Sequence, residues 1–474
     1  MNVLPPTTGT GPPACPPEVA EPSGGAGVAR GGAVPGVVPS GRRPLLVRTA
    51  VALMSSTVAS AALGFLFWVV AARWFPTEAV GRASGVVASM SLLAGLAQLN
   101  LTSLYARFLP GAGARTRRLV LVGYGASAAM SLALAVGFLA LGLGSGLIGD
   151  RPVHRLVFVV AVLASAIFFI QDGVLAALRR PGLVPAKNIV ASGAKLALLP
   201  LLPLLAGVVA GDGVLLAWVL PMLVTMLVTN WWILARLTPR VGTVPLPGRA
   251  RHGMTSFASA EYVTGLVNNA VAFLPPVLVA HALGATASAY FYVPWTIGVA
   301  GTTLLWNVVI SFVVAASSDG AEARVHVRRA LVLVGLVVGA GAVTLGGAAG
   351  ALLAPLGGQY AAHGADALRL IGLSLPFTGV ILLYAAFAIM EKRMWRMVLV
   401  QSTAALLFLG GGWYGLPRLG IVAPAVALLL AQAATALVLL PGLRRRLRAV
   451  VAPQHRPAWA VLPETVAAPL GGST

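Results

Sequence analysis

The 474-residue sequence predicts an all-α polytopic membrane protein with twelve transmembrane helices. Three observations favour this class. Apolar residues make up 58% of the chain and charged residues only 9%, whereas charged residues are about a quarter of a soluble domain. The apolar residues form twelve runs that are long enough to cross a bilayer, and basic residues alternate between many and few in the segments that separate the runs.

Each predicted span is a run of mainly apolar residues. About 20 residues of α-helix, rising 1.5 Å each, cross a hydrocarbon core of about 30 Å. The segments between the runs are about 20 residues or shorter, which leaves no room for a soluble catalytic domain. The runs lie at residues 50–72, 84–106, 119–144, 155–178, 187–210, 213–235, 254–282, 287–315, 330–354, 366–390, 396–416 and 419–441.

Lysine and arginine predict the orientation. Counted together with the basic residues at the span ends, seven alternate segments, the first of them the N-terminal flank, carry 24 of these residues and the six between them carry six. Because Lys and Arg are retained on the cytoplasmic side, we expect a multi-pass protein of the cell membrane with both termini cytoplasmic. The net charge of +21 is then an orientation signal and a contact surface for anionic membrane lipids, and it requires no nucleic acid.

Composition divides the chain into five parts. Residues 1–43 contain nine prolines and nine glycines and predict a disordered cytoplasmic tail. A six-helix lobe over 44–240 is followed by a cytoplasmic linker over 241–253 and a second six-helix lobe over 254–445. Residues 446–474 form a second cytoplasmic tail.

The two lobes show signs of an internal repeat. Residues 72–83 align with residues 280–291 at an offset of 208, and both stretches read as an apolar helix end, a turn with Pro or Gly, and the start of a second helix. An even number of spans in each half implies a parallel repeat about an axis along the membrane normal. This arrangement is typical of transporters, although a duplicated channel or membrane enzyme fits it as well.

The first lobe also carries a recognisable motif. It reads FWVVAARWFPTEAVG at residues 67–81 and QLNLTSLYARFLP at residues 98–110, with Leu283-Gly284 and residues 289–292 restarting it in the second lobe. The motif resembles the opening hairpin of the oligosaccharide/polysaccharide flippase family, within the multidrug/oligosaccharidyl-lipid/polysaccharide exporter superfamily.

The resemblance implies two six-helix bundles around a central cavity. They would move a polyprenyl-diphosphate-linked oligosaccharide from the cytoplasmic to the outer leaflet by alternating access, for envelope or exopolysaccharide biosynthesis, with glycosyltransferases and a polysaccharide polymerase as partners. A cation-coupled multidrug antiporter of the same superfamily is the alternative, and a membrane-embedded enzyme or scaffold is a third hypothesis. Members that handle diphosphate lipids are expected to carry several cations in the cavity, whereas Lys195 is the one clear cation inside a span here.

Three ionisable residues lie inside predicted spans, namely Asp172, Lys195 and Glu261. A charged side chain at that depth costs at least about 2.5–3.5 kcal/mol, so each is a candidate functional group. Their spacing from the flanking segments places all three about 10–12 Å from the cytoplasmic helix ends. Asp172 and Lys195 lie on consecutive helices, which predicts an ion pair.

The roles of these groups stay open. The pair is structural, or Lys195 extends to the cytoplasmic headgroups, or Lys195 binds the diphosphate of a substrate while Asp172 exchanges a proton. Glu261 is a candidate for ion coupling or a packing hydrogen bond. Asn268 and Asn269 are candidate substrate ligands or interhelical hydrogen bonds. Arg107, at the end of the second span, is a candidate substrate ligand or an interfacial anchor.

Several catalytic patterns are missing from the sequence. It contains neither the phosphate-binding Gly-x-x-x-x-Gly-Lys-Ser/Thr loop nor His-Glu-x-x-His, its six histidines are scattered, and Cys15 is its single cysteine. We therefore expect no ATP hydrolysis, no metal site, no cofactor and no disulfide. The sequence favours a transporter over an enzyme.

Overall fold

In a computed structural model, the described residues are 43–202, 212–238, 251–316, 321–391 and 394–451, and they form helices and turns without a strand. From Thr49 onward the chain is one compact unit. Most of the predicted tails and of the predicted linker lies outside the described residues.

The first half of the described chain contains seven α-helices and ends in a π-helical turn at Ile233–Leu237. Pro76 precedes α2, and Pro152 starts α5, where its missing N–H costs nothing. The helices are α1 (Arg43–Trp74), α2 (Thr77–Ala97), α3 (Leu101–Phe108), α4 (Thr116–Ala140), α5 (Pro152–Ala177), α6 (Leu183–Leu198) and α7 (Gly213–Trp232).

The second half contains six described α-helices. Gly284 interrupts α8 with φ 84° and ψ −178°, a conformation that side-chain-bearing residues rarely adopt. The helices are α8 (Arg251–Ala316), α9 (Ala321–Gly347), α10 (Ala349–Leu353), α11 (Gly358–Met390), α12 (Met394–Leu419) and α13 (Ala423–Val451).

Each of the twelve predicted runs overlaps a helix of the structure. Among the described residues, seven helical stretches are long and apolar enough to cross a membrane, or eight if the bent pair 331–347 and 349–356 counts as one. Two of these stretches, Tyr262–Ile310 and Trp395–Arg448, are 49 and 54 residues long, well beyond the 20 or so that one crossing needs.

The two halves meet where α2 packs along α8. Nearly all of α2 is buried, because its Gly, Ala and Ser residues allow close approach of helices. A side chain on Gly81 would overlap the backbone carbonyl of Ala285, and the hydroxyls of Ser84 and Ser288 lie 3.0 Å apart. Both contacts join residues 204 apart, so α2 runs parallel and in register with the part of α8 that follows Gly284.

Candidate functional site

Asp172 forms an ion pair with Lys187 and not with Lys195. Its Oδ1 lies 2.5 Å from Nζ of Lys187, whose side chain is 3% exposed. The same Nζ donates a hydrogen bond to the backbone oxygen of Phe168 at 2.7 Å. The prediction of an Asp172–Lys195 pair is therefore wrong, because α6 begins at Leu183, four residues before the predicted span, and Lys187 lies within the packed helix.

Lys195 lies towards the other end of α6. It occupies the last turn of the helix, about 12 Å beyond Lys187 along the axis, so it does not share a level with Asp172. Its Nζ is 3.7 Å from the centroid of the Trp218 ring. Among the described residues, no carboxylate pairs with it.

An aromatic cluster surrounds this cation–π contact. Trp218 of α7 lies 5.2 Å from Phe67 and 5.6 Å from Trp68, between ring centroids. Trp68 of α1 lies 4.9 Å from Tyr292 of α8, and both are buried. The cluster thus joins the two halves near the end of the bundle that the sequence predicts to face outward.

A second contact between the halves lies at the same end. The Arg73 guanidinium donates from Nε to the backbone oxygen of Pro355 at 2.7 Å and from Nη2 to that of Ala354 at 3.2 Å. Together with Ser84 and Ser288, these groups join the two halves at this end of the molecule.

Asn268 and Asn269 are neighbours in sequence but contact different parts of the molecule. Asn269 donates from Nδ2 to the backbone oxygen of Leu92 at 2.9 Å and lies against Gly95, where any side chain would overlap its amide. Asn269 therefore forms an interhelical hydrogen bond between α8 and α2. Asn268, about 100° further round the helix, lines a cavity in the second half.

This cavity, of about 370 Å³, lies among α8, α11, α12 and α13. Within the described lining no side chain is charged. Apolar and aromatic groups, including Trp295 and Trp306, alternate with hydroxyls and amides. The polar lining residues are Thr264, Asn268, Thr302, Thr303, Ser374, Thr378, Gln401 and Gln432.

Four hydroxyls of the cavity donate to their own helices. Thr302 and Thr303 donate to backbone oxygens one turn earlier, at 3.1 and 2.9 Å. Ser374 and Thr378 do the same at 2.7 and 3.0 Å. Because each hydroxyl has one proton and two lone pairs, these oxygens remain available as acceptors.

Two amide groups add unsatisfied acceptors. The Oε1 atoms of Gln401 and Gln432 are buried and accept no hydrogen bond within the described structure. A buried polar atom without a partner costs about 1–3 kcal/mol, and such atoms are few in folded proteins. A donor from outside the chain would satisfy them.

The remaining predicted site residues are Arg107 and Glu261, whose side chains lie outside the described residues. In the described part of the chain, His, Cys, Asp and Glu do not gather in groups of three that could hold a metal. Neither Gln401 nor Gln432 is among the candidate site residues predicted from the sequence. Polar pairs one turn apart on apolar helices, such as Ser374 and Thr378, are the signal that could have indicated this cavity.

The architecture matches solved transporters. The inward-facing conformation of a multidrug resistance MATE family transporter of the MOP superfamily aligns over 85% of this chain and 98% of that chain, with a TM-score of 0.60 and 15% identity. The lipid II flippase MurJ, in its inward closed conformation, aligns over 84% and 90%, with a TM-score of 0.63 and 12% identity. The chain has the fold of MOP-superfamily transporters.

The outward-facing conformation of a MATE family transporter aligns over 85% of this chain and 96% of that chain, with a TM-score of 0.55 and 16% identity. No protein-family model matches the sequence, and no curated protein matches it. In this MOP fold, the Lys195 cluster lies where the two halves meet, and the uncharged cavity lies within the second half alone.

Proposed function

We propose that this chain flips a polyprenyl-diphosphate-linked oligosaccharide from the cytoplasmic to the outer leaflet by alternating access, for envelope or exopolysaccharide biosynthesis. The observation that carries the proposal is Lys195, a cation at membrane depth in a MOP fold, with no carboxylate partner among the described residues. Its ammonium has three donors, and a diphosphate provides the oxygens to accept them.

The position of Lys195 supports a role late in the transport cycle. It lies towards the end of α6 that is predicted to face outward, so it meets the diphosphate after the halves have opened on that side. In this structure the Lys195 ammonium lies against the face of the Trp218 ring. Glu261 is our candidate for ion coupling, and Asp172, paired with Lys187, is a structural group.

The proposal includes the full topology. We propose twelve crossings, with lobes over 44–240 and 254–445 around a central cavity and both termini in the cytoplasm of the cell. Gly284 and Gly420 support it, because each has a positive φ within a helical stretch that is too long for one crossing. Glycosyltransferases and a polymerase are the expected partners, and the chain itself carries out no reaction.

A strain that lacks the gene provides the test. We expect lipid-linked repeat units to accumulate on the cytoplasmic side, and the wild-type gene to clear them. Lys195→Met should clear them at least ten-fold more slowly and Lys195→Arg should work nearly normally. Arg445→Met, which removes an exposed cation of α13, is the control and should behave as wild type.

A cation-coupled multidrug antiporter is the second candidate, favoured by the likeness to MATE transporters. In that case the strain would become sensitive to cationic dyes without accumulating lipid-linked glycan. That result, or normal clearance by Lys195→Met, would overturn the flippase proposal.

A further inference from the structure

The cavity of the second half is lined by hydrogen-bonding groups, and some of them have no partner among the described side chains. Six acceptor groups line it, the hydroxyl oxygens of four residues and two amide oxygens without donors. They belong to Thr302, Thr303, Ser374, Thr378, Gln401 and Gln432. The amides of Asn268, Gln401 and Gln432 also carry N–H groups, so the complementary ligand both donates and accepts hydrogen bonds.

The lack of charged side chains in the described lining further restricts the chemical class of the ligand. A phosphate or carboxylate brings a negative charge, and the described lining has no cation to offset it. An ammonium brings donors, but the described lining has no carboxylate as its counter-charge. An uncharged, hydroxyl-rich group brings donors and no charge, and it matches both properties.

The aromatic residues fit the same ligand class. Trp295 is held rigidly, because its Nε1 donates to the backbone oxygen of Ala272 at 2.7 Å and its ring stacks on Phe291 and Phe408. Trp306 also lines the cavity and makes no ring stacking contact in the described part of the chain. Because the Trp295 ring is buried and already stacked on two phenylalanine rings, Trp306 is the indole whose face can pack against the C–H face of a sugar ring.

We propose that this cavity binds an uncharged sugar group of the transported glycan. Its volume of about 370 Å³ lies at the lower end of small-molecule sites, about 300–1,000 Å³, so it accommodates a small part of an oligosaccharide. The identification of the sugar as cargo rests on the proposed function. Under that function the substrate is recognised in two places, its diphosphate by Lys195 and its sugar by the second half.

Calorimetric titration of the purified full chain tests the site. The detergent must have no sugar headgroup, and the probes are glucose, N-acetylglucosamine, galactose and rhamnose, with tetraphenylphosphonium as a cationic probe. We expect at least one sugar to bind and tetraphenylphosphonium not to compete with it. The Gln401→Leu/Gln432→Leu double variant should weaken sugar binding at least ten-fold.

Matched variants separate the site from general damage. Gln359→Leu makes the same change on an exposed side chain of α11, and Thr403→Val removes an exposed hydroxyl of α12. The controls should bind as wild type. The Gln double variant should melt at the same or a higher temperature, since it removes two unsatisfied acceptors.

The two proposals fail separately. If none of the sugars binds, if the double variant binds as wild type, or if tetraphenylphosphonium competes, the sugar site is wrong even where lipid-linked glycan accumulates in the deletion strain. If sugars bind and the deletion strain accumulates no glycan, the site stands and the flippase proposal fails.

Discussion

The carboxylate of Asp172 and the ammonium of Lys187 lie 2.5 Å apart and join α5 to α6. Lys187 is almost fully buried, whereas the Asp172 side chain is 32% exposed. The ammonium also donates to the backbone oxygen of Phe168 and lies 3.6 Å from the centroid of its ring. Because the Lys187 ammonium is bound by both Asp172 and Phe168, the pair stabilises the packing of α5 against α6.

We expect Asp172→Asn and Lys187→Met each to destabilise the protein more than the double variant does. Removing one member of a buried pair costs about 3–5 kcal/mol, because it leaves the other charge buried and uncompensated. Here the lower end applies, since the Asp172 side chain is only partly buried. Melting temperatures in detergent give the comparison, and the double variant should retain transport.

The exposed pair Asp366–Arg369, with a distance of 2.8 Å, is the matched control. Asp366→Asn should change the melting temperature little, because exposed pairs contribute about 0–1 kcal/mol. If Asp172→Asn instead stopped transport with a normal melting temperature, Asp172 would be an ion-coupling group.

The ion pair shows which features of the fold could be predicted from the sequence and which could not. Apolar runs predict helices well, because a spanning helix needs a length that composition alone reveals. They do not fix where a helix begins. The predicted span starts at Lys187, while α6 starts at Leu183, and those four residues decide which lysine faces Asp172.

The site was less predictable than the helices. Asn268 and Asn269 look equivalent in the sequence, yet one lines the cavity and the other bonds α2, because a neighbouring residue on a helix points about 100° away. The cavity also draws its residues from four helices and contains no described charge. No local pattern brings Gln401 and Gln432 together; only the packing of α12 with α13 does.

We expect Trp218 to contribute to transport through the contact between its ring face and the Lys195 ammonium. Trp218→Leu removes the surface under the Lys195 ammonium, worth about 2 kcal/mol or less for a desolvated cation–π contact, whereas Trp218→Phe keeps a weaker aromatic face. We expect transport to fall in the order wild type, Phe, Leu. Flipping of lipid-linked glycan in vesicles measures this order.

Trp231→Leu provides the control on the same helix, since Trp231 is 64% exposed. It should transport as wild type. Equal activity of Trp218→Leu and Trp218→Phe would show that ring packing alone, and not the cation contact, is what Trp218 contributes.

The orientation can be measured with single cysteines. Cys15 is the only native cysteine, so its replacement by serine gives a cysteine-free background. We expect Asp212→Cys, before α7, to react with an impermeant maleimide from outside the cell. Arg117→Cys and Arg249→Cys should react only after the membrane is opened, and the reverse pattern would overturn the proposed topology.

Ser84 and Ser288 provide a test of alternating access. Their hydroxyls are 3.0 Å apart between α2 and α8, which is close enough for cysteines at these positions to meet the geometry of a disulfide. In the Cys15→Ser background, we expect Ser84→Cys/Ser288→Cys to cross-link under mild oxidant. A protease site inserted within residues 239–250 allows the chain to be cut between the two halves. The cut halves then stay together on a non-reducing gel only if the disulfide has formed.

Cross-linking should stop transport and reduction should restore it, because the contact lies at the end of the bundle that must open outward to release the substrate. Each single cysteine, and Ser84→Cys with Thr403→Cys on the exposed side of α12, should neither cross-link nor lose activity. Full transport by the cross-linked protein would mean that α2 and α8 stay together throughout the cycle. The outer end would then have to open elsewhere, with the contact between Trp68 and Tyr292 as the next to test.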